Sequence, residues 1–268
     1  MSFPPDSRFK PALANKLGRV FILVLTWAPA LPLLAWNPPE AVTAWKFNDP
    51  TRPLPAVVEP LPESTLVARS TPPPGAEVLF SGDSLSSWNP TKWKIGNGIL
   101  ECVPGSGSLT SIKGYGSCRL HLEWSTPSTP PLKTGQNRGN SGIFFMGKYE
   151  VQILDTFDNP TYADGIAGAV YGQYPPTVNP IRPPGQWQFY DIEFHRPVFD
   201  ATGLLIRPAT LTVDFNGHRV QDRVELTGPT NPPGRKPYQP HPDALPISIQ
   251  DHKEIVRFRN IWILPIPD

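Results

Sequence analysis

The stretch Gly147-Lys148-Tyr149-Glu150-Val151-Gln152-Ile153-Leu154-Asp155 decides the fold, because its apolar residues recur with the period of two that belongs to a strand. On a pleated strand Tyr149, Val151 and Ile153 point one way, while Glu150, Gln152 and Leu154 point the other. Asp155 follows Glu150 by five positions, so a regular strand puts the two carboxylates on opposite faces, and a bulge between them is needed to turn both into one cleft. Paired carboxylates in a cleft are the apparatus of glycosidic-bond cleavage. The same pattern also fits the solvated face and end of an ordinary antiparallel strand.

Outward from this stretch the chain repeats the strand signal. Ser117 to Trp124 places Cys118, Leu120, Leu122 and Trp124 on one face and Arg119, His121 and Glu123 on the other, which predicts a half-buried antiparallel strand. Trp187 to His195 alternates in the same way, with Trp187, Phe189, Asp191, Glu193 and His195 on one side. Shorter strands are predicted at Glu77–Phe80, Ser108–Ser111, Ile143–Met146, Ile247–Gln250 and Ile255–Leu264. Hairpin turns are predicted at Gly96-Asn97-Gly98 and at Asn216-Gly217. Trp88 is placed to plug one end of the sandwich, and simple core packing is the favoured role for it. Residues 125–140 and 158–184 lack strand periodicity and read as long loops, the latter of a length that commonly builds binding sites.

Composition agrees with an all-β fold. The 268 residues include 37 prolines and 21 glycines, with only 18% charged residues, too few for long surface helices. A net charge of +1 and the lack of a Lys/Arg cluster exclude nucleic acid as a partner and point to a neutral one. Arg8, Lys10, Lys16 and Arg19 precede the apolar run 20–36, the order of a secretory signal or of an anchor that tethers the chain to a membrane. The chain is therefore expected to be exported, whether periplasmic, cell-surface or secreted. Residues 1–36 form this segment, residues 37–75 are expected to be a Pro-rich extended linker or stalk, and residues 76–268 the folded domain. Cys102 and Cys118, on consecutive predicted strands, form a disulfide if those strands pair and otherwise serve as small buried apolar residues.

Glu150-x-Gln152-x-x-Asp155 resembles the Glu-x-Asp-x-x-Glu signature of laminarinase-type β-glucanases, with Gln in place of the central Asp and Asp in place of the last Glu. A longer series gives a second resemblance. Leu79-Phe-Ser-Gly-Asp-Ser-Leu-Ser-Ser-Trp88, Leu122-Glu-Trp124, Gly139-Asn-Ser-Gly-Ile143, Tyr149 to Asp155, Gly168-Ala-Val-Tyr171, Pro184-Gly-Gln-Trp187, Asn216-Gly217 and Val256-Arg-Phe-Arg-Asn-Ile261 occur in this order. The series resembles the 3-keto-disaccharide hydrolase domain family over about residues 77–265. The resemblance implies a concanavalin-like jelly-roll sandwich of two antiparallel sheets and cleavage of oxidised glycosides outside the cytoplasm. The chain departs from the family at Gln186, where Glu is usual before Trp, and at Lys253-Glu254, where a Gly is common.

A ketone at sugar C3 acidifies the C2 hydrogen, so such a site needs a base and an electrophile near the ketone oxygen. Glu150 is the first candidate base, Asp155 the alternative, and Glu123 a second carboxylate. Gln152, Asn140, Trp187 and Arg259 are candidate substrate-binding residues; Trp187 either stacks on a sugar ring or fills the core, and Arg259 also suits an ion pair with a sheet carboxylate. Asp191, Glu193 and His195, spaced i, i+2, i+4, would hold a divalent metal if they faced a cleft, and the spacing fits an exposed sheet face equally. The expected partner is a small carbohydrate. A non-catalytic, lectin-like module on the same sandwich is the competing reading.

Overall fold

A computed structural model describes residues 39–128, 132–230 and 234–268. The basic-then-apolar segment read as a signal or anchor lies outside the described residues. Two short helices, α1 (Glu40–Thr43) and α2 (Glu63–Leu66), accompany the strands. In chain order these begin with β1 (Ala56–Val57), β2 (Glu77–Phe80), β3 (Lys94–Gly96), β4 (Ile99–Glu101), β5 (Leu109–Tyr115) and β6 (Cys118–Ser125). Next come β7 (Ser141–Phe145), β8 (Tyr149–Ile153), β9 (Val178–Asn179), β10 (Gln188–His195), β11 (Val198–Phe199) and β12 (Leu205–Arg207). The last are β13 (Thr210–Phe215), β14 (His218–Glu225), β15 (Leu245–Ile249) and β16 (Arg257–Pro265).

The strands build the expected all-β sandwich. An eight-stranded antiparallel sheet runs β14-β13-β10-β6-β16-β4-β3, with β2 also bonded to β16, and a four-stranded antiparallel sheet runs β5-β15-β7-β8. Both predicted hairpins form, because Asn97 and Asn216 adopt left-handed backbone at φ 53° and 48°, each followed by a glycine at positive φ. The inward residues of β6, β10 and β13 pack against those of β7 and β8. Phe194 is the bridge between the layers, its ring 4.9 Å from Phe145 and 5.5 Å from Tyr149. Trp88 is buried in the core and donates its indole N–H to Leu79 O at 2.8 Å.

Residues 39–75 are not a free stalk. Val42 and Leu66 are buried, β1 pairs in parallel with β9, and Arg52 sends its guanidinium into the fold to the carbonyls of Gln173 and Ala41. Further along, Ser70 Oγ donates to Glu123, Arg69 pairs with Asp191, and Trp262 donates its indole N–H to Arg69 O. Prolines keep the segment extended, so it forms a strap held by anchors without regular spacing. That is why a periodic reading sees only a linker. A consequence is that His121 and Glu123, expected on an open face of β6, are 0% exposed.

Cys102 and Cys118 are both free and buried, against the disulfide alternative. They lie at β4 and β6, and β16 runs between those strands in the sheet, so the two never pair.

The strap predicts its own test. Removing residues 1–71 uncovers the outer face of β6 and deletes Val42 and Leu66 from the interior, which alone is worth about 3–6 kcal/mol at roughly 1.5–3 kcal/mol per buried side chain. Urea denaturation is expected to show a lower midpoint for a chain starting at residue 72 than for one starting at residue 39. Equal midpoints would restore the stalk reading.

Candidate active site

The three carboxylates picked from the sequence go to three separate places. β7 and β8 pair without a register break from Ser141↔Ile153 to Phe145↔Tyr149, so no bulge turns Glu150 and Asp155 into one cleft. Glu150 lies on the outer face of the four-stranded sheet against Gly142, where a Cβ would approach its Oε1 to 2.1 Å; only glycine leaves that room. The loop after β8 folds over this face. Tyr171 N–H donates to Glu150 O, and Gln152 beside it donates to Gln136 and to Gly165 O. Burial pushes the Glu150 carboxyl up to about 8, so it is held protonated at neutral pH.

Glu123 sits on the other sheet, under the strap. Burial would raise its pKa, but the nearby His121 ring at 3.7 Å and hydrogen bonds from Ser70, Asn260 and Arg259 outweigh that and hold it at about 2. His121 lies between Glu123 and Asp191, with Nδ1 2.7 Å from Asp191. Burial opposes its charged form, yet the two carboxylates win and its pKa is raised. Arg259 reaches Glu123 as well as Glu63, and its guanidinium lies over the Trp187 ring at 4.1 Å. The ion-pair reading of Arg259 therefore describes its contacts, and Trp187 takes a cation on its face.

Asp191, Glu193 and His195 do share one face of β10, as their spacing predicts, but each is engaged by ion pairs. Asp191 meets Arg69 and His121; Glu193 meets Arg119 at 2.8 Å and His195 at 3.1 Å. Among the described residues no group of three or more His, Cys, Asp or Glu is placed to hold a metal ion, so these side chains do not fit the metal role. Asn140 is also committed, donating to Gln136 O at 2.8 Å to hold the 3₁₀ turn before β7.

Asp155 has a different setting. β8 ends at Ile153, Asp155 N–H donates to Arg138 O, and the carboxylate meets Arg138 Nε at 3.0 Å. Burial raises its pKa and Arg138 offsets part of the rise, leaving it above the ordinary Asp range. It lines a pocket of about 400 Å³, a size within the range of small-molecule sites, together with Lys133, Arg138, Lys253 and Glu254. Glu150 does not line this pocket. Thr126, Pro127 and Ile255 add apolar and polar wall. Lys133 and Glu254 come from loops without periodicity, which is why sequence patterning passes over them. Arg138 had one signal, its place at the head of the Arg-Gly-Asn-Ser-Gly run.

An antiparallel two-sheet sandwich carrying buried carboxylates and a charged pocket at its loop end is of the glycosidase-like, carbohydrate-active class. Residues 75–264 match the 3-keto-alpha-glucoside-1,2-lyase-like domain, and the chain belongs to that family. It is similar to a crystal structure of a candidate glycosyl hydrolase from Parabacteroides distasonis, at 35% identity over 80% of this chain and 93% of that one, with a TM-score of 0.71. A second candidate glycosyl hydrolase from the same organism, at 20% identity over 71% of this chain and 99% of that one with a TM-score of 0.52, shares the fold. No curated protein matches the chain. The family supports a carbohydrate as the small-molecule substrate.

The buried acid gives a pH test. Glu150 keeps its proton in the folded state up to about pH 8, whereas the unfolded chain loses it near the model-peptide value of about 4.3. Between those values the unfolded state binds fewer protons, so this residue makes stability fall as pH rises, by up to about 1.4 kcal/mol per unit. Glu150→Gln is expected to flatten that decline, so the variant gains on the wild type from pH 5 to pH 8 in urea unfolding. An unchanged pH slope would place an ionised carboxylate at Glu150.

Proposed function

We propose that the domain cleaves the glycosidic bond of 3-keto-glycosides, oxidised disaccharides in particular, by elimination and rehydration in the Asp155 pocket. The observation that carries the reading is the Asp155–Arg138 pair, a carboxylate and a guanidinium 3.0 Å apart that both line a pocket large enough for a sugar. The two groups match what the chemistry needs. A 3-keto sugar loses its C2 proton to a carboxylate base, and the negative charge that develops on the ketone oxygen requires a cation nearby. Arg138 supplies that cation as a planar guanidinium with several donors.

Asp155 takes the proton in this scheme. Burial raises its pKa, which makes it a stronger base than an exposed aspartate, and the Arg138 guanidinium favours its ionised form. Elimination then expels the C1 substituent, and water added to the unsaturated ketone completes net hydrolysis. Two carboxylates at glycosidase spacing are not required, which suits a chain whose Glu150, Glu123 and Asp155 occupy separate places. The basic-then-apolar order of residues 8–36 supports export of the protein, where such sugars would be met outside the cytoplasm.

Turnover of a 3-keto-disaccharide and of its unoxidised counterpart by the purified protein tests the reading. The oxidised sugar is expected to be cleaved and the unoxidised one left intact. Asp155→Asn is expected to lower kcat/KM about 10²–10⁴-fold, the usual worth of a positioned base, while Glu150→Gln retains turnover. Loss at Glu150→Gln with Asp155→Asn silent would transfer the base role to β8. Sugar binding without any turnover would leave the lectin-like reading in its place.

A further inference from the structure

Elimination from a 3-keto-glycoside has a second proton requirement. As the C1–O bond breaks, the departing oxygen must take a proton unless its conjugate acid is already strong. The Asp155–Arg138 pair supplies the base and the cation for the ketone, and neither is free to protonate an oxygen on the far side of the ring. The same pocket holds another pair. Lys133 Nζ lies 2.6 Å from Glu254 Oε1; the Lys133 side chain is 47% exposed and that of Glu254 only 9%.

The inward placement of Glu254 is built by its loop. Asp251 accepts hydrogen bonds from the backbone N–H groups of Gly105, Gly107 and Lys253, tying the turn after β15 to the segment after β4. Lys253 is held in left-handed backbone at φ 64°, a conformation that costs a lysine about 1 kcal/mol or more and turns the next residue back toward the pocket.

We propose that Lys133 is the general acid that protonates the leaving oxygen and that Glu254 is its positioning residue, an assignment that rests on the elimination reading above. Asp155 removes the C2 proton, the electron pair forms the C1–C2 double bond, the C1–O bond breaks, and the leaving oxygen takes a proton from Lys133. The products are an alcohol and an unsaturated 3-ketone. One proton then passes from Asp155 to Lys133, which restores both groups with no outside oxidant or reductant.

Leaving-group dependence reads out this role, because a merely structural lysine would affect all substrates alike. The test compares a methyl 3-keto-glucoside, which needs an acid, with a 4-nitrophenyl 3-keto-glucoside, whose leaving oxygen does not. Lys133→Met, which keeps the aliphatic stem, is expected to lower kcat/KM on the methyl glycoside about 10²–10⁴-fold and to leave the nitrophenyl substrate within roughly tenfold of wild type. Glu254→Gln is expected to show the same preference with a smaller loss. Lys133→Met acting equally on both substrates, or on neither, overturns the assignment. Asp155→Asn is the control: its loss on both substrates upholds the base independently of Lys133, and its silence on both fails the elimination reading itself.

Discussion

The structure depends on how one carboxylate is kept out of water. Glu123 projects from β6 onto the outer face of the large sheet and is 0% exposed. An unpaired buried carboxylate costs several kcal/mol, so a stable fold must supply donors. Arg259 and Asn260 come from β16 and Ser70 from the strap, and His121 of β6 itself adds an ion-pair partner at 3.7 Å. Each donor explains a piece of architecture. The register of β16 against β6 shifts between Arg259 and Trp262, and Asn260 adopts a left-handed φ of 50°, so that two consecutive side chains face Glu123. The strap is held on the sheet by Ser70, which donates to Glu123, and by Arg69, which pairs with Asp191.

That arrangement separates the chemistry of the molecule into layers. The outer face of the large sheet carries a chain of ion pairs from Arg259 through Glu123, His121 and Asp191 to Arg69 and Asp214, in which the carboxylates are already answered by cations. The outer face of the small sheet carries Glu150, an acid kept neutral by burial under a loop. Where β8 gives way to loops, Asp155 meets Arg138 and lines a pocket. The third place combines a buried carboxylate whose pKa is raised, cations and a pocket of about 400 Å³, features that mark a reactive site.

The strands hold this pocket although they supply little of its lining. Asp155 stands two residues past the end of β8, Arg138 three before β7, and Glu254 three before β16. Short offsets from rigid strands place loop side chains with little freedom, the precision that positioning in a site requires. The Asp251 clamp serves the same end, since it accepts three backbone N–H groups and so fixes the turn that carries Glu254.

What the sequence by itself determined was the set of strands and turns. Tyr149 to Ile153, Cys118 to Trp124 and Gln188 to His195 alternate over near neighbours, and Asn97-Gly98 and Asn216-Gly217 accept left-handed backbone wherever they occur; both properties are local and readable along the chain. The ordered motifs carried the family in the same way. The tertiary structure alone decided which carboxylates stay buried, which pair and which meet a cavity. β7 and β8 pair without the bulge that would have joined Glu150 and Asp155, β16 shifts register around Asn260, and residues 39–75 wrap the domain as a strap. Lys133 and Glu254 complete a pocket with Asp155 from loops far apart in the chain. Burial and charge pairing depend on what the fold brings together across long separations, and a local pattern of residue types carries no record of that.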